Sequence, residues 1–459
     1  MLKTLGAYFS LGLIPSIMWL ITVFILTHSL SPSDYGVGML FVSSLELIAS
    51  LSGLGMDRVF MRFYYEKTYQ AKTAVLLYSC LLFSVISIFC FYTVLFLFSN
   101  TLSALFHLNG VLVWLLMLIG TIAFVFEIYA SFMPRFQDKP GLYTLGQIVQ
   151  QGTFLLSCSL FILFSKKSSL IIMISQVMGL SFCSMLLIAI YKKAWRIPNN
   201  LLTNLKITDT KQFISYGLPF VFSGSLTWLF FNMDKFLVLR WSGAHALGIY
   251  TAAFALCSPF EMLRGVFVLG WVPILNKQMV ESSFKGKKIL RDTFQQMLWI
   301  FTLVVSLLLL VKPVIILFLG KEYAQSDNIF GWILLSIYFY GLSDIVTAGI
   351  VKSKKTYWNI VISIVCLITN VVFCYFFIPK YGAEGAAVAN TISFFLFFIM
   401  RYLIGFQYYV FKIRNEKLLL YTVYLLCLVV LSEKIILRND LLAFQKSIII
   451  FLKIMYPFF

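Results

Sequence analysis

The stretch of sequence that decides the fold is FISYGLPFVFSGSLTWLFFNMDKFLVLR, residues 213–240. Its first part, residues 213–231, contains no charged residue. About 20 apolar residues in a helix are enough to span the hydrocarbon core of a bilayer. The charged residues Asp234, Lys235 and Arg240 follow at the end of this run. The pattern predicts a transmembrane helix that carries charged groups near one of its ends.

The composition of the whole chain agrees with a membrane protein. Of 459 residues, 61% are hydrophobic and 12% are charged, and the mean hydropathy is +0.92. Soluble domains are about 45–50% apolar and about 25% charged. Uncharged runs of bilayer-spanning length recur along the chain, whereas a transmembrane β-barrel shows alternating segments of about ten residues. We therefore predict an all-α, polytopic integral membrane protein.

Apolar runs of helical length predict about fourteen transmembrane helices. The predicted spans are residues 5–27, 36–56, 73–98, 110–133, 141–164, 168–191, 213–239, 245–275, 294–319, 328–350, 357–378, 382–405, 418–436 and 441–459. The fourteenth span carries Lys446 and Lys453 on one face. It is therefore also compatible with a helix that lies in the membrane interface.

The net charge of +18 is explained by where lysine and arginine lie relative to these spans. With the N-terminus inside, 23 of these residues fall in inner loops and eight fall in outer loops. Basic residues concentrate in cytoplasmic loops, where they face anionic lipids. We therefore predict that both termini are cytoplasmic, and that the positive charge faces membrane lipids rather than nucleic acid.

The basic loop of residues 192–212 divides the chain into two similar halves, residues 1–191 and 213–411. At an offset of 215, the matching residues are Ser43, Glu46, Leu54 and Gly55 in the first half and Ser258, Glu261, Leu269 and Gly270 in the second. Six helices in each half give a parallel repeat, which is one of the plans of secondary transporters. Residues 412–459 form an additional C-terminal helix pair in this prediction.

Cysteine and histidine give no sign of a metal site or of an enzyme. The eight cysteines lie in apolar segments without paired spacing, and His28, His107 and His245 are far apart in the sequence. All the predicted external loops are short, so none is large enough to carry catalytic residues. We expect no enzymatic activity, no cofactor and no metal.

Three stretches carry a resemblance to a known family. They are LTHSLSPSDYGVGMLF (residues 26–41), PVIILFLGKEYAQS (313–326) and IPKYGAEGAAVANTIS (378–393). In this order they resemble the Wzx-type polysaccharide flippases of the multidrug/oligosaccharidyl-lipid/polysaccharide (MOP) exporter superfamily. The resemblance extends from about residue 5 to about residue 411.

The resemblance implies two pseudo-symmetric six-helix bundles that face each other across a cavity and work by alternating access. It implies that an undecaprenyl-diphosphate-linked oligosaccharide moves from the cytoplasmic to the outer leaflet of a bacterial inner membrane, in O-antigen, capsule or exopolysaccharide biosynthesis. We expect a monomer among membrane lipids, with other polysaccharide-assembly proteins such as a polymerase as candidate partners. The alternative is an ion-coupled multidrug exporter of the same superfamily.

Arg264 is the leading candidate for binding the diphosphate. It lies within the long eighth span, where a charged side chain is costly and usually faces a cavity or a partner. Its planar guanidinium group can bind phosphate with two parallel hydrogen bonds. The competing interpretation is an ion pair with Glu261, three residues earlier on the same helix.

Five further residues are candidates for contact with the diphosphate or the glycan: Arg58, Asp234, Lys235, Arg240 and Asn232. Arg58 would guard the cytoplasmic mouth, or else anchor the chain to the inner membrane surface. Asp234, Lys235 and Arg240 would form an exit rim at the outer end of the seventh span. Alternatively, Asp234 and Lys235 pair with each other and with interfacial water.

Four acidic residues within or close to the spans are candidates for coupling transport to H⁺ or Na⁺: Glu46, Glu261, Glu127 and Asp344. Each could instead satisfy polar groups between helices. Two further basic residues in the spans, Lys312 and Arg401, are expected to extend their charged ends towards the membrane surface.

Overall fold

The computed structural model describes residues 2–66, 73–165, 167–197, 207–281, 283–353, 355, 357–408 and 415–436. All regular elements in these ranges are helical, so the predicted all-α class is confirmed. In chain order the α-helices are α1 (Leu2–Ser29), α2 (Pro32–Ser52), α3 (Met56–Phe63), α4 (Thr73–Phe96), α5 (Ser99–Phe106), α6 (Gly110–Phe136), α7 (Pro140–Phe164), α8 (Leu170–Ile190), α9 (Ile207–Leu256), α10 (Ser258–Glu281), α11 (Ser283–Ile316), α12 (Asp327–Val346), α13 (Ala348–Lys352), α14 (Tyr357–Tyr408) and α15 (Asn415–Ile436). A 3₁₀ helix, Lys321–Ser326, precedes α12.

Each predicted span from the first to the thirteenth overlaps a helix, and the fourteenth lies outside the described residues. Nine helices of the described ranges are long and apolar enough to cross a membrane. Two of them, α9 and α14, each contain a break and so account for more than one predicted span. The multi-pass membrane character expected from composition therefore agrees with the helices observed.

Single glycines produce the breaks inside α9 and α14. Gly243 has φ 82° and ψ 175°, and Gly382 has φ 60° and ψ −135°. Side chains disfavour positive φ, whereas glycine adopts it at little cost. Two consecutive helices can therefore follow one another with almost no connecting loop. Gly382 belongs to the YGAEGAA turn that the sequence places between the eleventh and twelfth spans.

Local signals also set the starts of α6 and α7. The Asn109 side chain accepts hydrogen bonds from the backbone amides of Val111 (3.0 Å) and Leu112 (3.4 Å), which caps α6. Pro140 occupies the first turn of α7, where the missing amide proton would have no helical partner. Both helices thus begin where the sequence predicts.

The described residues form two compact units. Unit 1 consists of Met1–Leu30 and Val37–Asn232. In it α7 packs against α1 and α8, and α6 packs against α4 and α8. Some buried polar groups in this unit are paired, as in the 2.6 Å hydrogen bond between Tyr92 Oη and Thr121 Oγ1. Such pairing offsets the cost of placing polar groups away from water.

Unit 2 consists of Ser31–Gly36 and Met233–Phe459, and α12 lies at its centre. This helix is buried along most of its length and packs against α11, α14 and α15. It carries polar residues on several turns, including Ser336, Ser343 and Asp344. Because protein surrounds α12, it can hold polar groups that a lipid-facing helix could not.

The expectation that Lys312 reaches the membrane surface is wrong. Its side chain is 0% exposed, and its Nζ lies 3.2 Å from Asp327 Oδ1 at the start of α12. The ammonium group therefore pairs inside unit 2. The sequence misleads here because a lysine near a helix end usually extends outward, and the partner lies 15 residues away on another helix.

The backbone of Gly248 lies very close to the backbone of Pro32 in unit 2. A Cβ atom built on Gly248 would lie 1.8 Å from the carbonyl oxygen of Pro32. We expect Gly248→Ala to lower the free energy of unfolding by about 1–3 kcal/mol, the usual cost of overpacking, because backbone atoms have little room to move. The measurement is the thermal unfolding midpoint of the purified protein in detergent.

Gly141→Ala is the matched control for this prediction. Among the described residues, no atom beyond its chain neighbours lies within 4 Å of a Cβ built there. The control should unfold at the wild-type temperature or slightly above it, since alanine restricts the unfolded chain. Equal midpoints for Gly248→Ala and Gly141→Ala would show that the contact with Pro32 carries no stability.

Candidate functional site

An ionic cluster inside unit 2 is centred on Arg264 of α10. Arg264 Nε donates a 2.9 Å hydrogen bond to Glu261 Oε2, and Nη2 donates to Glu261 Oε1. Arg264 Nη1 donates to Asp344 Oδ2 of α12. The guanidinium group is thus held by two carboxylates, one from its own helix and one from the centre of the unit.

Arg401 of α14 adds a second guanidinium group to this cluster. Its Nη1 donates to Ser343 Oγ at 3.2 Å and lies 3.5 Å from Asp344 Oδ1. Asp344 therefore bridges two guanidinium groups. Arg401 Nε is buried and has no hydrogen-bond partner among the described residues. One strong donor of the cluster thus remains to be satisfied.

Both guanidinium groups also lie against aromatic rings. The Arg264 guanidinium carbon is 4.1 Å from the centroid of the Tyr340 ring, and that of Arg401 is 4.2 Å from the Phe397 ring. Cations over aromatic faces are stabilised, and more strongly so away from water. The rings fix the planes of both groups before any ligand arrives.

The four charged side chains differ in exposure in a way that indicates how a ligand could enter. Arg264, Asp344 and Arg401 are 13%, 14% and 14% exposed, whereas Glu261 is 43% exposed. Two cations and two anions give the cluster no net formal charge. Because Glu261 is the accessible carboxylate, an anion could take its place on Arg264 while Asp344 stays between the two arginines.

The cluster bears on both interpretations of Arg264 made from the sequence, the ion pair with Glu261 and the binding of a diphosphate. The ion pair with Glu261 is present, and the geometry also leaves Arg264 beside an accessible position. The expectation that Arg401 extends outward is wrong, because it is buried against Asp344 and Phe397. Sequence reasoning missed Arg401 and Tyr340 as members of one cluster. The available signal for Arg401 was a charged residue within the limits of an apolar span.

Asp234 belongs to a different polar cluster, within unit 2. Its side chain accepts hydrogen bonds from Tyr250 Oη and, at 3.0 Å, from Asn390 Nδ2. It is only 1% exposed, so its predicted place on an open exit rim is wrong. The backbone amide of Lys235 bonds to Asp234 at 2.8 Å, while its Nζ lies 6.0 Å from the Phe254 ring centroid. Asp234 and Tyr250 lie on α9 and Asn390 lies on α14, so the packing of two helices brings together residues that the sequence separates.

Asn232 precedes Asp234 and Lys235 in the chain, and Arg240 follows them. Arg240 is exposed, as a rim residue would be. Asn232 is half-buried, and its Nδ2 donates to the carbonyl oxygen of Trp228 at 3.1 Å. Glu127 of α6 is also half-buried. The substrate and coupling roles expected for these three residues stay predictions.

Glu46 and Arg58 both line a cavity of about 170 Å³ inside unit 1. Arg58 Nε lies 3.2 Å from Asp57 Oδ2, and both residues line the cavity. Burial raises the pKa of the Asp57 carboxyl, and the positive charge of Arg58 opposes that rise. Trp228 Nε1 donates a 3.4 Å hydrogen bond to Glu46 Oε2. The predicted mouth residue and the predicted coupling acid thus share one pocket.

Metal binding has no support in the part of the chain that the structure describes. No group of three or more His, Cys, Asp or Glu residues is arranged there to hold an ion. All eight cysteines are free, and six of them are buried. Their place in apolar helices agrees with a packing role.

Comparison with known sequences gives two matches. The profile of the polysaccharide biosynthesis protein family matches residues 1–279. The capsular polysaccharide biosynthesis protein CapF of Staphylococcus aureus is 28% identical over 211 residues, which are 43% of this chain and 51% of that protein. This chain thus spans about half the length of the curated relative that it matches.

Comparison with solved structures identifies the fold. The lipid II flippase MurJ in an inward closed conformation has a TM-score of 0.73 at 15% identity, covering 98% of this chain and 97% of that one. A multidrug resistance MATE family transporter of the MOP superfamily, in an inward-facing conformation, has a TM-score of 0.66 at 14% identity, covering 88% and 97%. The fold that the resemblance implied is therefore confirmed.

Proposed function

Since the chain belongs to the polysaccharide biosynthesis protein family, we propose that it is a flippase for a lipid-linked oligosaccharide. Its substrate is an undecaprenyl-diphosphate-linked glycan repeat unit, carried from the cytoplasmic to the outer leaflet by alternating access. The protein would act in the inner membrane of a bacterium with both termini in the cytoplasm. The capsular relative and the lipid II flippase fold support this proposal.

The observation that carries the proposal is the pair of guanidinium groups held on membrane helices. Arg264 and Arg401 are each at most 14% exposed and share Asp344. Burying a charge costs several kcal/mol unless partners compensate it. Carboxylates compensate both cations here, and the accessible one, Glu261, is the partner that a phosphate group of a diphosphate can replace. The lipid tails of such a substrate can remain in the bilayer throughout.

Binding would proceed by exchange of carboxylate for phosphate on Arg264. Glu261 swings out towards solvent, for which its exposure of 43% leaves room, and a phosphate oxygen pair takes its place on Nε and Nη2. The fork geometry of the guanidinium group fits both partners. Asp344 stays in place and keeps Arg264 and Arg401 aligned. Release reverses the exchange, so Glu261 competes with the substrate and prevents the complex from becoming too stable to transport.

Coupling to H⁺ or Na⁺ is a further part of the proposal. Of the four candidate acids, Glu261 and Asp344 hold Arg264 directly. Binding of a proton to Glu261 would weaken its hold on Arg264 and so favour the exchange. Glu46 and Glu127, the other two candidates, lie in unit 1.

The alternative is an ion-coupled multidrug exporter, which the likeness to the MATE transporter favours. Such exporters would require sites for organic cations. A diphosphate can accept hydrogen bonds from the guanidinium group of Arg264 in place of Glu261, whereas an organic cation offers no such acceptor. The flippase is therefore the preferred function.

Deletion of the gene tests the proposal against this alternative. In a strain without a redundant flippase, the lipid-linked glycan should accumulate in the inner leaflet and surface polysaccharide should be lost, with unchanged resistance to cationic dyes. The distribution is read by accessibility of the glycan to a periplasmic glycosidase in spheroplasts. Normal surface polysaccharide together with sensitivity to cationic dyes would instead establish the exporter.

A further inference from the structure

The cavity in unit 1 is lined by both polar and apolar side chains. Its charged groups come from Glu46, Asp57 and Arg58, and its hydroxyl groups come from Ser50, Ser84 and Tyr129. Apolar side chains such as Phe124, Ile128 and Phe220 also line it. A sugar ring has hydroxyl groups around its edge and apolar C–H faces, and a cavity with this mixed lining matches it.

The charges of the cavity select against anions. Two carboxylates and one guanidinium group line it, and Arg58 is already paired with Asp57 at 3.2 Å. The cavity therefore has a formal charge of minus one. A phosphate or a sugar acid would meet Glu46 and be repelled. This site thus differs from the cluster around Arg264, where guanidinium groups can donate hydrogen bonds to an anion.

The acceptors in the cavity suit hydroxyl donors. Ionised carboxylates only accept hydrogen bonds, whereas a sugar hydroxyl both donates and accepts. Glu46 is exposed in the cavity, and the hydrogen bond from Trp228 Nε1 orients its carboxylate. Ser50 Oγ would lie 3.4 Å from a Cβ built on Gly224. Because residue 224 has no side chain, the space in front of Ser50 stays open.

The size of the cavity limits the occupant to a small group. Its volume of about 170 Å³ is well below the roughly 300–1,000 Å³ of pockets that enclose drug-sized ligands. One ring fits that space better than an oligosaccharide does. Backbone contact holds one lining residue in place, since a Cβ built on Gly55 would lie only 2.3 Å from the carbonyl oxygen of Gly217.

We propose that this cavity binds one uncharged sugar ring of the lipid-linked glycan through its hydroxyl groups, and that Glu46 excludes rings that carry an acidic group. The inference rests on the proposed flippase function, because it assigns the glycan part of the same substrate. It gives the two units different tasks in recognition, with the glycan in unit 1 and the diphosphate in unit 2.

A cysteine reporter at Ser50 tests the proposal. In a background in which the exposed Cys90 and Cys427 are serine, Ser50→Cys is reacted with a maleimide in the full-length protein, reconstituted in nanodiscs. The probes are methyl glucoside, methyl N-acetylglucosaminide, methyl glucuronide, inorganic pyrophosphate and tetraphenylphosphonium. We expect the neutral glycosides to slow the reaction, and the other three probes to leave its rate unchanged.

Glu46→Gln should raise the neutral glycoside concentration needed for protection by roughly tenfold, as expected for losing a hydrogen bond to a charged group. It should also allow the glucuronide to protect. Asp138→Asn is the matched control, since Asp138 is an exposed carboxylate of unit 1 outside the cavity lining. This control should keep the wild-type protection profile.

Three results would overturn the inference: protection by pyrophosphate or by tetraphenylphosphonium, protection by no glycoside, or equal glycoside protection in Glu46→Gln. These results are separable from failure of the flippase function. Normal surface polysaccharide after gene deletion would refute the flippase whatever the maleimide reaction shows. Loss of polysaccharide without glycoside protection would refute the sugar site alone.

Discussion

Asp344→Asn is expected to lower the free energy of unfolding by about 3–5 kcal/mol, the cost of breaking a buried ion pair by removing one partner. Asp344 is one of the two carboxylates bonded to Arg264, and its Oδ1 lies 3.5 Å from Arg401 Nη1. Without its charge, Arg401 retains Ser343 as a neutral partner and Arg264 retains Glu261. The measurement is chemical unfolding of the purified protein in detergent micelles.

Asp292→Asn is the control for this prediction. Asp292 forms an ion pair with Arg291, but both side chains are more than 40% exposed. Exposed pairs contribute about 0–1 kcal/mol, so this variant should unfold close to the wild type. Adding Arg401→Met to Asp344→Asn should recover part of the loss, because it removes the uncompensated cation. A similar loss from Asp344→Asn and Asp292→Asn would mean that the buried charges are not coupled.

Arg264→Ala is expected to reduce glycan export by roughly 30-fold or more while the protein stays folded. Truncating one partner of a buried charge pair costs about 2–5 kcal/mol of binding, and each 1.4 kcal/mol is a factor of ten. The fold survives because Asp344 keeps Arg401, and Glu261 is exposed enough to be hydrated. Export is measured as surface polysaccharide at matched membrane levels of the protein.

Arg264→Lys separates charge from geometry in the same assay. Lysine keeps the positive charge but cannot offer two parallel donors. We expect intermediate export, above that of the alanine variant and below that of the wild type. Full export by Arg264→Ala at matched expression would refute the diphosphate role of Arg264. Full export by Arg264→Lys would refute only the contribution of the planar fork.

The sequence predicted the helices better than the contacts between them. Long uncharged runs dictate membrane helices because an unpaired backbone is too costly in a bilayer. Gly243 and Gly382 have positive φ, and each of them breaks a long helix at the boundary between two predicted spans. The pair of Glu261 with Arg264 was also accessible, since a spacing of three residues places side chains on one helix face.

Partners on different helices could not be predicted from spacing. Asp344 lies 80 residues after Arg264, and Arg401 lies a further 57 residues along the chain. Asp234 and Asn390 are 156 residues apart and yet share a hydrogen bond. Lys312 and Arg401 look alike in the sequence as basic residues near helix ends. Only packing reveals that each has a buried carboxylate beside it.

The order of the charges along the chain keeps their running sum small in the Arg264 cluster. Glu261 and Arg264 come first, on one helix, and their charges cancel. Asp344 follows with one negative charge, and Arg401 comes last and cancels it. We expect this order to limit the cost of carrying ionised groups into the bilayer as the chain is synthesised. At no stage do these four residues leave more than one charge uncompensated.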